Sequence, residues 1–232
     1  MMLDKTEEQN MKPKASIYPN GFLNSAALEQ HYIYRGCKRL FDIVASACAL
    51  VLLSPLFLIV AIWIKHDEPG GTIFYAQTRL GKQQRPFKMY KFRSMVVDAD
   101  QKLKALLKYS DVKGAMFKMK SDPRVTKVGR FIRKYSIDEL PQLLNVLQGN
   151  MTLVGPRPPL KREICKYTAY DRQRLYVKPG CTGLWQVTGR NNVDFKDMVE
   201  LDLTYIRKRS LWLDFKILLK TVKVMIHPNS AY

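Results

Sequence analysis

Histidine is nearly missing from this chain of 232 residues. There are three, His31, His66 and His227, and they follow no spacing that a metal ion could use. Cysteine is sparse as well. Cys37, Cys48, Cys165 and Cys181 form no C-x-x-C pair, and Cys48 lies inside an apolar stretch, which argues against a zinc site and against a disulfide framework. Neither of the glycine-rich nucleotide loops, G-x-x-x-x-G-K-[ST] or G-x-G-x-x-G, occurs, and no segment repeats. Negative charge is in short supply: 20 Asp and Glu stand against 39 Lys and Arg, a net charge of +19. The surplus is uneven, because residues 1–34 hold three lysines against four acidic residues. A body this basic suits anionic lipid headgroups or nucleic acid, and charge alone does not separate the two.

What the chain does have is one long apolar run, Ile43 to Ile64, interrupted only by Ser54-Pro55. At about 1.5 Å per residue a straight helix of that length covers roughly 33 Å, enough to cross a hydrocarbon core of about 30 Å. Arg35, Lys38 and Arg39 flank one end and Lys65 the other, so both ends carry the positive charge that marks a cytoplasmic side. Pro55 removes a backbone donor and its ring clashes with the preceding turn, which predicts a kink or break near Ser54. The Ser54 hydroxyl is placed to satisfy a carbonyl that the break frees. Two readings stay open: a segment that turns at Ser54-Pro55 and leaves by the face it entered, or a spanning helix with a tolerated proline.

Around that segment the chain divides into a polar N-terminal tail (1–34) with one short helix near Ser25–Tyr34, the membrane segment (35–66), a catalytic or binding domain (67–210) and a C-terminal stretch (211–232). Thr72–Gln77 and Pro86–Phe92 read as a hairpin around Gly81, and its second arm interleaves Lys88, Lys91 and Arg93 with Phe87, Tyr90 and Phe92. Asp98–Lys108 reads as an amphipathic helix, and Ser121-Asp122-Pro123 as the start of the next. Ser136–Leu147 reads as a helix, Thr152–Val154 as a strand, Lys161–Val177 as a helix and Leu184–Val187 as a strand. Asp194–Arg209 and Leu211–Ile226 are helical patterns. In the last one, Lys216, Lys220 and Lys223 punctuate an apolar surface, as in a helix lying among headgroups or one packed on the core. The fold class expected is α+β, mainly helical with a small hairpin or sheet.

Three places could carry chemistry. Asp138-Glu139, preceded by Arg133 and Lys134, could hold a divalent metal and present a nucleophilic oxygen. Ser136-x-x-Glu139 is equally a capping box, in which Glu139 only satisfies a backbone N–H. Gly155-Pro156-Arg157-Pro158 presents a guanidinium between two prolines, suited to a phosphate or to a structural corner. The Pro179–Arg190 loop, with Gln186 and Arg190, forms either a nucleotide pocket or a tight connection.

At this point the motifs match a family. KRLFDIV at Lys38–Val44, the Ser54-Pro55 break, KFRSM at Lys91–Met95, IRKYSIDELPQLLNVLQGNMTLVGPRP at Ile132–Pro158, PGCTGLWQVTGR at Pro179–Arg190 and ELDLTYI at Glu200–Ile206 together resemble the bacterial monotopic phosphoglycosyl transferases. The likeness runs from about Arg35 to Ile226. It implies a re-entrant membrane helix bent at Ser54-Pro55, with the catalytic domain on the cytoplasmic face of the cell membrane. It implies transfer of a sugar 1-phosphate from a UDP-sugar to a polyprenyl phosphate, with release of UMP and with Mg²⁺ as cofactor, as the priming step of exopolysaccharide or capsule assembly. By that resemblance Asp138 is the nucleophile that becomes an aspartyl phosphosugar, and Glu139 is associated with the metal beside it. Arg133, Lys91 and Arg157 fall on the family's basic positions, and Arg93, Gln186 and Arg190 join them as substrate-binding candidates. The partners implied are the donor, the lipid acceptor and membrane lipid, and no nucleic acid; downstream glycosyltransferases and a second copy of the chain stay open. The first 34 residues lack the extra helices of the larger members, so the chain resembles a short form. The competing reading is a non-catalytic, membrane-tethered basic module that binds nucleic acid or anionic lipid.

Overall fold

The computed structural model describes residues 21–106, 119, 121–188 and 194–227. Among them the fold is α+β, helices surrounding two small two-stranded sheets. A short helix α1 (Ser25–Glu29) leads into α2 (Tyr32–Leu52) and α3 (Ser54–Asp67), which meet at an angle of 59°. The break lies where Pro55 predicts it. Leu53 leaves helical geometry, Pro55 takes the first turn of α3, and the Ser54 hydroxyl donates to the Val51 carbonyl at 2.8 Å. No single helix among the described residues is long and apolar enough to cross a membrane, although the bent pair passes that test together.

The α2 helix is not apolar all round. Lys38, Arg39, Asp42 and Ser46 recur at intervals of one helical turn and face the domain. Asp42, buried, accepts from the Thr152 hydroxyl at 2.6 Å and the Leu153 N–H at 3.1 Å. Arg39 donates to the carbonyls of Val146 and Leu147 at 2.6 and 2.8 Å, which caps the helix ending there. Lys38 pairs with Asp214 at 2.8 Å. This polar seam lies partly inside the long apolar run, and it ties the bent pair to the rest of the fold. The opposite side exposes Phe41, Val44, Val51 and Leu52 on α2 and Leu58, Ile59, Ile62 and Trp63 on α3.

Strands β1 (Phe74–Leu80) and β2 (Pro86–Phe92) form the expected antiparallel hairpin, with Tyr75 opposite Lys91 and Arg79 opposite Phe87. The amphipathic helix α4 covers Ala99–Leu106. Helix α5 (Lys127–Lys134) starts later than Ser121-Asp122-Pro123 suggests: Thr126 is its N-cap, accepting from the Gly129 N–H. The earlier start is lost because Asp122 is taken by Arg124 at 2.6 Å and Val125 is bridged to Met95. The expected helix Ser136–Leu147 is a 3₁₀ turn at Ile137–Glu139 followed by α6 (Gln142–Leu147), divided at Pro141.

Strand β3 (Thr152–Val154) pairs in parallel with β4 (Gly180–Thr182). Between them Lys161–Val177 is not one helix but α7 (Lys161–Ile164), α8 (Ala169–Arg172) and a 3₁₀ turn, because Thr168 and Asp171 form a capping box that restarts the chain. The strand expected at Leu184–Val187 is helix α9 (Leu184–Thr188), and the true strand lies just before it. A four-residue apolar run carries no period that separates the two. Gly180 is required there, since a Cβ on it would lie 2.1 Å from the Gly155 nitrogen. Gly180→Ala is therefore expected to lower the melting temperature by about 4 to 10 °C through overpacking. A shift under about 2 °C in a circular-dichroism melt would show that the two loops yield.

Helices α10 (Phe195–Lys208) and α11 (Leu211–Ile226) complete the fold. The main core gathers Met89, Val146, Met151, Val154, Leu203 and Ile217, each contributing on the order of 1.5–3 kcal/mol by burial. Leu23 joins it, so the end of the segment read as a loose tail is packed. A second cluster, Val60, Ile64, Phe92 and Ile132, with Phe57, Val128 and Ile137 against it, seats α3 under β2, α5 and the 3₁₀ turn.

Candidate active site

The 3₁₀ turn carries Asp138 and Glu139. Ser136 before it has φ 56°, ψ 22°, a left-handed conformation that costs a non-glycine residue on the order of 1–3 kcal/mol and reverses the chain sharply after α5. In that conformation the capping box does not form: Ser136 makes no side-chain cap, and Glu139 turns to Lys91. Lys91 Nζ sits 2.6 Å from Glu139 Oε1 and 3.9 Å from Asp138 Oδ2.

The two carboxyls are driven apart in acidity. Burial pushes Asp138 up to about 6 against the attraction of Lys91, and the neighbouring Glu139 charge adds to the rise. Burial also raises Glu139, but Lys91, with Arg157 and Arg79 beyond it, outweighs this and holds that carboxyl below its usual range. Lys91 acts on both carboxyls, Arg133 adds to it at Asp138, and Arg157 and Arg79 add to it at Glu139.

Around the turn lies a cleft of about 600 Å³. Lys91, Arg93, Arg133, Asp138, Glu139, Arg157 and Gln186 all line it, so seven of the eight residues singled out as catalytic or substrate-binding come together; Arg190 lies outside the described residues. Arg133 buries one Nη that has no hydrogen-bond partner among the described residues, as does the Gln186 Oε1. Arg93 is held at the rim, donating to the Thr72 carbonyl and hydroxyl at 2.8 and 2.6 Å. Leu218, Val224 and Met225 of α11 give one wall an apolar lining.

The Gly155-Pro-Arg-Pro corner is rigid. The carbonyls of Pro156, Arg157, Pro158 and Pro159 accept in turn from Gly180 N, Arg174 Nη2, Arg79 Nη1 and Leu80 N. Arg174 is itself fixed by a buried pair with Asp202 at 2.6 Å; removing one member of such a pair costs about 3–5 kcal/mol. The Arg157 side chain projects from the corner and pairs with Glu163 at 3.2 Å.

Two features escaped the sequence reading. Arg79 is a buried guanidinium in the cleft, and its signal was the alternation Tyr75-x-Gln77-x-Arg79, which sets all three on one face of β1 opposite Lys91, Met89 and Phe87. Trp185 also lines the cleft and buries an indole N–H without a partner among the described residues; nothing in the spacing marked it out.

Ionisable groups so divided, at the floor of a cleft with unpartnered cationic donors, suit a carboxylate reacting with an anionic substrate. Comparison with known proteins points the same way. Residues 33–228 match the family described as bacterial sugar transferase. The chain is 47% identical over 201 residues to the galactosyl transferase CpsE of Streptococcus agalactiae, covering 86% of this chain and 44% of that protein. It is 47% identical over 202 residues to the undecaprenyl-phosphate galactose phosphotransferase of Salmonella typhimurium, covering 85% of this chain and 42% of that one. With the exopolysaccharide production protein ExoY of Rhizobium meliloti, 40% identity extends over 84% of this chain and 88% of the relative. The chain thus spans less than half the length of the first two relatives and most of the third.

Proposed function

The chain belongs to the bacterial sugar transferase family, and from that membership and the geometry of the cleft we propose that it transfers a sugar 1-phosphate from a UDP-sugar to a polyprenyl phosphate. The observation that carries this reading is Asp138, a buried carboxylate flanked by Lys91 and by an Arg133 nitrogen with no partner among the described residues. A pure polyanion-binding module gains nothing from a carboxylate buried at such a place, because burying the charge is costly and repels the ligand.

In the proposed reaction an Asp138 oxygen attacks the β-phosphorus of the donor. The O–P bond forms as the bridging P–O bond breaks, and its electron pair leaves on UMP. Lys91 and Arg133 neutralise the phosphoryl oxygens in a partly desolvated site, where such charges act strongly. The phosphate oxygen of the lipid acceptor then attacks the same phosphorus and restores the Asp138 carboxylate. Covalent storage on the protein separates departure of a soluble nucleotide from arrival of a lipid.

Magnesium fits this donor set. Among the described residues no group of three His, Cys, Asp or Glu could cage a metal, but Mg²⁺ commonly uses one or two carboxylates together with substrate phosphates. Glu139 and Asp138 would hold it, and when bound it supplies positive charge to the phosphate oxygens.

The bent pair α2–α3 enters and leaves one face of the cell membrane in this reading. The exposed apolar side chains of both helices support it, as do Leu211, Trp212, Phe215, Leu219, Val222 and Ile226, which form an exposed stripe on α11. The catalytic domain then lies on the cytoplasmic face, the side that the basic residues flanking both ends of the segment favour.

The test is UMP release by the detergent-purified chain given Mg²⁺, undecaprenyl phosphate and a panel of UDP-hexoses and UDP-N-acetylhexosamines, with liposome flotation alongside. Lipid-dependent UMP from one donor is expected, with the protein floating. No UMP from any donor, in folded protein, would remove the enzymatic reading.

A further inference from the structure

Among the described residues Arg79 is a buried cation in the cleft with no carboxylate within ion-pair distance. It is 7% exposed. Its Nη1 donates to the Pro158 carbonyl at 3.1 Å and its Nη2 to Gln77 Oε1 at 2.7 Å, and its Nε has no acceptor among the described residues. The carboxylates that could pair with it are committed elsewhere: Glu163 to Arg157 at 3.2 Å and to the Leu160 N–H, Glu139 to Lys91 at 2.6 Å. Arg79 therefore stands beside a second guanidinium, that of Arg157, and the two repel; burial and Arg157 together bring Arg79 down to about 9. A buried arginine without a carboxylate partner is uncommon, because burial takes away the water that would otherwise solvate the charge.

Position indicates which anion completes the site. Lys91 sits against Asp138 and Glu139, where the transferred phosphoryl group would sit, while Arg79 lies four residues further along β1 than Tyr75, the cross-strand partner of Lys91, and at the corner that carries Arg157. We propose that Arg79 is a phosphate-binding residue, paired with Arg157 to hold the phosphate of the departing nucleoside monophosphate. This rests on the transfer reaction described above. As the bridging P–O bond breaks, the electron pair and its negative charge go to that phosphate, and two guanidinium groups receive it. Arg79 also fixes the corner from which Arg157 projects, so both members of the pair are preorganised.

The experiment is calorimetric titration of the detergent-purified full chain with UMP and with uridine, for wild type, Arg79→Gln and Arg79→Lys. Arg79→Gln is expected to weaken UMP binding on the order of tenfold to a hundredfold, the value of a charge-assisted hydrogen bond, and to leave uridine binding unchanged. Arg79→Lys keeps the charge without the fork and is expected to lose a smaller part of the UMP affinity. Unchanged UMP binding in Arg79→Gln, or equal losses for UMP and uridine, would overturn the proposal, the second result marking a packing role. Should Arg79→Gln fail to fold, Arg79→Lys must still lose UMP affinity selectively. Wild-type protein that releases no UMP from any donor would instead overturn the transfer reaction, whatever Arg79 does.

Discussion

Replacing Asp138 by Asn is expected to abolish UMP release and, at neutral pH, to make the protein more resistant to heat. The first effect follows from chemistry: an amide at this position cannot form the covalent phosphosugar, and removal of a nucleophile typically costs three or more orders of magnitude in turnover. The second follows from burial. Asp138 titrates near 3.8 when unfolded and is pushed up to about 6 in the fold, so its protonated form is the one the fold favours. For a carboxyl raised in this way the contribution to stability is whole below the unfolded value and is lost as the pH rises through about 6. Ionised Asp138 therefore burdens the native state at pH 8 by about 1 to 3 kcal/mol, which Asn does not carry. The Asn variant is expected to melt about 3 to 8 °C higher at pH 8, about half as much higher at pH 5, and close to wild type only below about pH 4. The same group sets an acid limb near pH 6 in wild-type kcat/KM, because only the carboxylate attacks. Equal melting temperatures at pH 8 would mean that Lys91 compensates the buried charge in full.

Arg157→Ala is expected to reduce turnover by about two to four orders of magnitude while the protein stays folded. Its side chain takes no part in fixing the corner, whose four carbonyls are held by Gly180, Arg174, Arg79 and Leu80. The structural loss is confined to Glu163, which keeps the Leu160 N–H at 2.9 Å and still lies near Arg79. A fall in melting temperature of a few degrees, about 1–2 kcal/mol, is expected for that lost partner. Near-normal UMP release by this variant would refute a phosphate contact for Arg157. Arg157→Lys separates charge from fork geometry and is expected to fall between the two.

Much of this molecule is set by local rules that a sequence obeys wherever it folds. Pro55 breaks the apolar run because it lacks a donor, and the Ser54 hydroxyl answers the carbonyl exposed at the break. The hairpin, the helix Leu211–Ile226 and the nearness of Asp138 to Glu139 are likewise consequences of period, turn residues and adjacency. Other features were decided only in three dimensions. The pattern Ser136-x-x-Glu139 is a valid capping box, yet Ser136 takes a left-handed conformation and Glu139 goes to Lys91, 48 residues away in sequence. No spacing encodes that choice, because it depends on β2 lying against the 3₁₀ turn. The polar seam of α2 reads as noise in an apolar segment until Asp42 meets Thr152 and Arg39 meets the end of α6. Arg79 looks like one more surface arginine on an alternating strand, and only the corner of Pro156–Pro159 folding over it removes its water and gives its charge a task. Short-range sterics and hydrogen bonding determine the elements. Desolvation and charge pairing are properties of what surrounds a side chain, and here most of those surroundings come from distant parts of the chain.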